Sequence, residues 1–259
     1  MTQGRTLDIF ARLYLDGYDV SGYIRSIGEL KWEFGVSPDA SLTDQVKNIL
    51  IGQASIGIGA FNGFFDNTDL GLHAVTKGAG VKRVVMIPTG IQAVPAQGDP
   101  VFMGEFEQRG YHAAVDKNYI VANLTFDETN AIAANIAYTK PWGTLLHANA
   151  AKTAVNSAVG VDCELAASSA KGGFLCYQIF AVAGAGTVTI KVQEAATNTD
   201  VSFGDLAGAS SGAIAHTAVP CAGIVALGTT ATIQRYLRWQ IGLSGITSVT
   251  FALGFVRAN

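Results

Sequence analysis

The feature that most constrains this chain is a set of short runs in which apolar and polar residues alternate, interrupted by thirty glycines. Successive side chains of a strand point to opposite faces of a sheet, so a period of two predicts half-buried strands. Glycine clusters between such runs are typical of turns. The sequence therefore predicts a mainly β fold. The clearest alternating runs lie at 13–15, 188–192 and 248–253.

The first half predicts strands accompanied by one main helix. Asp16-Gly17 follows an apolar run and is a strong hairpin turn signal. Segment 37–50 predicts the helix, because capping Ser and Asp residues precede apolar residues at i, i+4, i+7 and i+8. A shorter helix is predicted over 70–77, with Gly78 as its end. The other predicted elements are strands 24–34, 81–87, 101–108 and 119–126, and a Gly/Pro/Gln loop at 91–100.

The charge balance changes along the chain and predicts two domains. Residues 1–130 carry 10 basic and 15 acidic residues, net −5, whereas residues 131–259 carry 7 and 5, net +2. We expect domains at 1–130 and 161–259, with 131–160 as an irregular linker region because it lacks a clean period. The second domain is expected to be an antiparallel sandwich or jelly roll. Its predicted strands are 161–167, 173–182, 186–194, 214–219, 232–241 and 246–256.

Composition favours burial in a fold or in an assembly. Apolar residues make up 49% of the chain and charged residues 14%, below the roughly 25% of an ordinary soluble domain. No apolar stretch reaches the roughly 18 residues of a membrane span, and no apolar signal region follows Met1. The three cysteines show no metal-binding spacing and are interpreted as small buried side chains of a protein made in a reducing cytoplasm.

Side chains that could carry chemistry are scattered, so we expect no enzyme activity, no cofactor and no metal. The glycines at 57–63 have the wrong spacing for a dinucleotide loop and lack a βαβ context. The four histidines show no zinc-ligand spacing. Glu105 and Glu107 share a strand face, where paired carboxylates could hydrolyse a glycoside, but a solvated surface is the simpler interpretation. The net charge of −3 gives no basic footprint for nucleic acid.

A basic and aromatic strand near the C-terminus leaves two interpretations open. The period of two places Arg235, Leu237 and Trp239 on one face and Tyr236 and Arg238 on the other. Such a mixture can bind sugar or nucleic acid. A strand with one edge at an interface is the interpretation that we favour.

Two segments resemble known protein families. Residues 13–23 (Leu-Tyr-Leu-Asp-Gly-Tyr-Asp-Val-Ser-Gly-Tyr), with 43–47 and 61–66, resemble structural proteins of tailed bacteriophages, above all the tail tube (major tail) proteins. Residues 174–257 are similar to small β domains that recur in phage virion proteins as appended or decoration modules. The resemblance implies a mainly β chain, with a tail-tube-like N-terminal β barrel or sandwich and one flanking helix, plus a C-terminal antiparallel β sandwich or jelly roll.

The resemblance also implies partners and a location. Tail tube proteins form stacked rings, commonly hexameric, through which DNA passes without specific binding. We therefore expect a homo-oligomer in the virion, assembled in the host bacterial cytoplasm, with other phage tail or head proteins as partners and no membrane. The acidic first half agrees with this, since like charge keeps DNA from adhering. The candidate inter-subunit contacts lie in loop 88–100 and are Ile91, Val94, Pro95, Gln97 and Asp99.

Two other functions stay open. The same β modules suit a phage head decoration (capsid cement) protein. They also suit a carbohydrate- or receptor-binding virion module that uses Arg235, Tyr236 and Trp239.

Overall fold

The computed structural model describes residues 11–39, 48–91, 94–117, 119–128, 141–163 and 167–258. The first-half strands are β1 Tyr14–Leu15, β2 Tyr18–Asp19, β3 Ile24–Ser26, β4 Leu30–Asp39, β5 Asn48–Phe64, β6 Val81–Pro88, β7 Pro100–Asp116 and β8 Tyr119–Glu128. The second-half strands are β9 Trp142–Lys152, β10 Val161–Asp162, β11 Ser168–Ser169, β12 Gly173–Ala195, β13 Gly204–Ser210, β14 Ile214–Ala215, β15 Cys221–Ala226, β16 Ile233–Gln234 and β17 Tyr236–Arg257. Helix α1 is Leu72–Thr76, and 3-10 turns lie at Ser21–Tyr23, Asp200–Ser202 and His216–Ala218.

The chain is mainly β, as predicted, and its strands pair antiparallel. Fifteen strands join one large curled sheet whose main path runs β13-β12-β17-β9-β7-β6-β1-β2. Strand β8 pairs with β7 and β5, and β5 also pairs with β3 and β4. Strands β11 and β16 form a separate two-stranded sheet. Strands from both halves of the chain therefore belong to the same large sheet.

The second half is built around two very long strands, where shorter strands were predicted. Residues 184–186 and 242–245 were expected to be breaks, but β12 and β17 continue through them and pair over almost their whole length. The register shifts at Gly184, which has a φ of +99°, and Gly245 has a φ of +71°. Glycine adopts these angles without strain, so each strand bends at a bulge and the ladder continues.

The hairpin turn at Asp16-Gly17 is confirmed. Strands β1 and β2 pair across it, and both turn residues have a positive φ, of 51° and 85°. Two successive residues with positive φ make the turn type whose twist matches an antiparallel pair.

The prediction of a helix over 37–50 is wrong at both of its ends. Residues 37–39 belong to β4 and residues 48–50 to β5, and they pair with one another from Ser37 opposite Leu50 to Asp39 opposite Asn48. Residues 40–47 lie outside the described part of the chain. Strand pairing between 37–39 and 48–50 therefore overrides the helical spacing of the apolar residues. The shorter predicted helix is confirmed as α1, which buries Leu72 and Val75.

The predicted linker region contains a central strand. Strand β9 pairs with β17 on one side and with β7 on the other. Leu145 and Leu146 are both fully buried, but in different core clusters. Both faces of β9 are therefore apolar, which removes the alternation by which a half-buried strand is recognised. The division into domains near residue 130 stays a prediction.

Three core clusters stabilise the fold. One lies within the second half, around β12 and β17, and one within the first half, around β5 to β8 and α1. The third joins the halves, since it includes Tyr14 and Met86 together with Phe174 and Ala252. Buried Gln178 adds a polar link, because its Oε1 accepts from the Gly17 N–H at 2.6 Å and its Nε2 donates to the Val84 carbonyl at 3.0 Å.

Candidate assembly interface

A two-stranded ribbon formed by residues 32–39 and 48–56, here called the β4–β5 arm, extends from the sheet. Among the described residues, β5 pairs with β8 only from Gly57 onward, so residues 48–56 have β4 as their one described neighbour. Within the described residues, β4 pairs with β5 alone. The outer edge of β4 therefore presents backbone N–H and C=O groups that no described strand occupies, which makes it a site for pairing with another chain.

The arm also carries large apolar side chains in contact with solvent. Trp32 and Phe34 are each 39% exposed, and Val36 is 69% exposed. The rings of Trp32 and Phe34 lie 5.7 Å apart between centroids, so the two side chains form one surface. On the other face, Lys31 and Glu33 form a salt bridge at 2.9 Å. The arm is thus amphipathic, and within the part of the chain that the structure describes its apolar face stays exposed.

A second apolar surface lies at the end of the β7–β8 hairpin. Val115 and Ile120 are directly opposite each other and exposed. Four residues along β7 and β8, the pair Tyr111 and Leu124 packs in the first-half core. Since side chains two residues apart share a strand face, Val115 and Ile120 continue the core-facing surface of the hairpin beyond the core.

The predicted contact loop at 88–100 is closed and anchored. Its ends meet where the Thr89 N–H donates to the Pro100 carbonyl at 3.0 Å, and its second half is tied to β9 by bonds between Gly98, Asp99 and Leu145. The Asp99 carboxylate accepts from the Ala96 N–H at 2.8 Å. Of the five predicted contact residues, Ile91, Val94 and Gln97 are exposed, Asp99 is half-buried and Pro95 is buried. Pro95 therefore shapes the loop, whereas Ile91 and Val94 present apolar side chains at its surface.

The predicted sugar-binding strand does not form a flat aromatic surface, which corrects that prediction for Trp239. Trp239 is 4% exposed and packs edge-on against His147 and Phe251 in the second-half core. Arg235 forms a bidentate salt bridge with Asp162, at 2.6 Å for its closest pair of atoms, and its guanidinium lies 5.1 Å from the Tyr236 ring centroid. Arg235 and Tyr236 stay near the surface but without the tryptophan.

Arg238 is buried and holds two loops together. It donates to Gln193 Oε1 at 2.8 Å and to the Ser157 carbonyl at 2.9 Å, forms a salt bridge with Asp200, and stacks on the Phe203 ring at 4.3 Å. These contacts satisfy a buried guanidinium and fix the loops that precede β10 and β13.

Burial is the main cause of the perturbed pKa values of His147 and Cys176. Burial lowers the pKa of His147 to about 4, and Lys152 lowers it further, against a hydrogen bond to the Phe251 carbonyl that raises it. Burial raises the pKa of the Cys176 thiol, with Asp16 adding to the effect, so the thiol is un-ionised near neutral pH. Among the described residues, no three His, Cys, Asp or Glu side chains are grouped to hold a metal ion. No described helix is long and apolar enough to span a membrane.

The single strand predicted over 24–34 is divided in the structure into β3 and β4, with a break at 27–29, and the importance of its aromatic residues was not recognised. The alternation of Trp32, Phe34 and Val36 was visible, and it predicts one apolar face. Whether another element covers that face depends on tertiary structure. The arm is recognised from the register, because the described residues of β8 pair with β5 only from Gly57 onward.

Comparison with known proteins assigns no family to the chain. No protein-family model and no curated protein matches the chain. Among solved structures, the chain is similar to the Dit (gp 19.1) protein of SPP1, described as a paradigm of hub adsorption apparatus in phages that infect Gram-positive bacteria. The TM-score is 0.32 and the identity 10%, over 95% of this chain and 98% of that one. A TM-score this low carries no argument about this protein.

Proposed function

We propose that the protein is a structural subunit of a bacteriophage virion that assembles with copies of itself into the rings of a tail tube. The observation that carries the proposal is the β4–β5 arm, with an edge that no described strand occupies and an exposed aromatic face. An isolated two-stranded ribbon is marginally stable in water, and a long apolar edge strand favours pairing with another chain. Association of copies through this arm would stabilise the ribbon and pair the open edge of β4.

Further support comes from loop 88–100 and from charge. Ile91 and Val94 are exposed on an anchored loop, as expected of a contact between stacked rings. The net charge of −5 over residues 1–130 suits a lumen through which DNA slides, because acidic surfaces repel phosphates. The sequence resemblance of residues 13–23 to tail tube proteins points to the same function.

The proposal is tested by measuring assembly of the purified protein over a wide concentration range. Light scattering after size-exclusion chromatography gives the mass, and negative-stain microscopy shows the form of the particles. We expect rings or tubes. Particles that stay strictly monomeric at the highest concentration would overturn the proposal of self-assembly.

A pair of double variants tests the role of the arm. Trp32→Lys with Phe34→Lys should raise the dissociation constant about tenfold or more, because each side chain loses on the order of 1 kcal/mol of apolar burial. The matched control is Val155→Lys with Val201→Lys, which changes two exposed valines of the second half. If both double variants weaken assembly equally, the arm is not the interface.

A head decoration protein would use the same free surfaces on a capsid lattice. Sedimentation of the purified protein with empty capsids or with tails distinguishes head decoration from a role in the tail tube. Binding to capsids without self-assembly into rings would favour decoration.

A further inference from the structure

The outer face of the first-half sheet carries a row of four polar side chains. Ser26 on β3 lies opposite Asn62 on β5, Asn62 lies opposite Asn123 on β8, and Asn123 lies opposite His112 on β7. Residues directly opposite in neighbouring strands project from the same face. The adjacent residues Phe61, Ala122 and Leu124 are buried in the first-half core. The row therefore faces away from the core.

Three residues of this row, Ser26, Asn62 and Asn123, line a cleft with a volume of 350 Å³, here called the outer-face cleft, which is within the range of small-ligand sites. Its lining residues are Arg25, Ser26, Asn62, Asp116, Val121 and Asn123. Two aromatic side chains lie next to residues that line the cleft. Phe64, two residues beyond Asn62, lies 5.4 Å from Tyr119 between ring centroids in an edge-on arrangement, and it is exposed.

The charges of the cleft balance each other. Arg25 Nη1 lies 3.5 Å from Asp116 Oδ2 and donates to the Tyr119 hydroxyl at 3.1 Å. The guanidinium is 5.9 Å from the Tyr119 ring centroid. An anionic ligand would have to compete with Asp116 for Arg25, the one cation among the described residues that line the cleft. Binding of phosphates needs several basic side chains, so the cleft suits an uncharged ligand better than a nucleic acid.

The amide groups retain hydrogen-bonding capacity. Asn62 Nδ2 donates to Ser26 Oγ at 3.2 Å. Within the described part of the chain, Asn62 Oδ1 and the whole Asn123 carboxamide make no hydrogen bond with other side chains or backbone. A carboxamide both donates and accepts, and so does each hydroxyl of a sugar. Two neighbouring carboxamides thus match a pair of vicinal hydroxyls, while an aromatic ring offers an apolar surface to the C–H face of the same sugar.

We propose that the outer-face cleft binds a neutral saccharide, with Asn62 and Asn123 bonding vicinal hydroxyls and the Phe64–Tyr119 pair packing on the ring. This site is on the opposite half of the chain from the strand at 235–239, where the tryptophan is buried. The proposal does not depend on ring assembly, since a monomer and a ring subunit can both present the cleft.

The first test applies the full-length protein to an array of neutral oligosaccharides built from glucose, galactose, mannose and N-acetylglucosamine. Sialylated glycans and a single-stranded oligonucleotide serve as anionic probes. We expect binding to at least one neutral glycan and none to the anionic probes. Absence of neutral binding, or binding to the oligonucleotide alone, overturns the proposal.

The second test measures affinity for the best neutral glycan by titration calorimetry. Asn123→Leu should weaken binding about tenfold or more, because it removes two hydrogen bonds to the ligand. Asn67→Ala, at an exposed turn, and Arg235→Ala should bind as the wild type does. An equal loss in Asn123→Leu and Asn67→Ala, or a loss in Arg235→Ala alone, overturns the assignment of the site. Melting curves check folding, and Ser26→Ala, expected to weaken binding severalfold, replaces Asn123→Leu if that variant does not fold.

Discussion

Replacement of Gln178 should weaken the contact between the two halves of the molecule and so lower its stability. Its side chain is fully buried on β12, and its amide reaches the β1–β2 turn and β6 in the other half. In Gln178→Leu, the side chain keeps its volume but loses both bonds. The Gly17 N–H, which is buried, is then left without its acceptor at a cost of about 1–3 kcal/mol. The Val84 carbonyl loses one donor but keeps the Asp16 N–H at 3.1 Å, which adds about 1 kcal/mol.

The expected loss in the free energy of unfolding is therefore about 2–4 kcal/mol, measured by urea denaturation at a concentration too low for assembly. For a chain of this size, that corresponds to a fall of roughly 5–15 °C in melting temperature. Gln97→Leu, in the exposed part of loop 88–100, is the control and should change stability by less than about 0.5 kcal/mol. A loss in Gln178→Leu no larger than that of the control would refute the view that this side chain couples the halves.

Two further predictions concern pH and backbone strain. The pKa of His147 in the folded protein is lowered from 6.5 to about 4, so between these pH values the unfolded chain binds more protons than the folded one. The free energy of unfolding should therefore be constant above pH 6.5 and fall by about 3 kcal/mol as the pH drops to 4. His147→Gln should remove that slope from urea unfolding curves and exposed His112→Gln should keep it, whereas an unchanged slope in His147→Gln would contradict the assignment. Gly184→Ala should cost about 1–3 kcal/mol, because φ is +99° and the new Cβ would lie 2.7 Å from the Gly245 carbonyl oxygen. Gly204→Ala, where a Cβ meets open space, is the control and should leave the melting temperature nearly unchanged. Equal losses of stability in the two variants would contradict the view that a side chain at position 184 strains the backbone.

The fold class followed from local pattern, but the lengths and partners of the strands did not. The Asp16-Gly17 turn is encoded by two residues that tolerate positive φ, so the sequence was sufficient there. Gly184 and Gly245 carry the same local signal, yet they bend continuous strands. A glycine with positive φ serves a turn and a bulge equally well, and only the partner strand decides between them.

The candidate interface also depends on strand partners that local pattern does not reveal. Alternation at Trp32 and Phe34 indicates a strand with one apolar face, which is what a half-buried strand and an exposed arm have in common. The tertiary fact that distinguishes them is that, among the residues that the structure describes, pairing of β5 with β8 ends at Gly57. Trp239 is the opposite case: its place in a basic strand suggested an exposed binding residue, but it is buried against Phe251.

The chemistry of β4 also bears on how an open edge can remain specific. An exposed apolar edge strand invites pairing with any extended chain, and charged side chains on the strand oppose unselective pairing. Lys31 and Glu33 provide one charge of each sign beside the aromatic face and neutralise each other at 2.9 Å in the free arm. A partner strand with uncharged residues opposite them leaves that pair intact, but one with a like charge opposite either residue is repelled. A second copy of the same arm, paired antiparallel, can set Lys31 of one chain against Glu33 of the other while the aromatic side chains meet. Such self-pairing is two-fold symmetric and closes a dimer, so a ring requires that the edge of β4 meet a different strand of the neighbouring copy. The charges of Lys31 and Glu33 then disfavour only those strands that place a like charge opposite either residue.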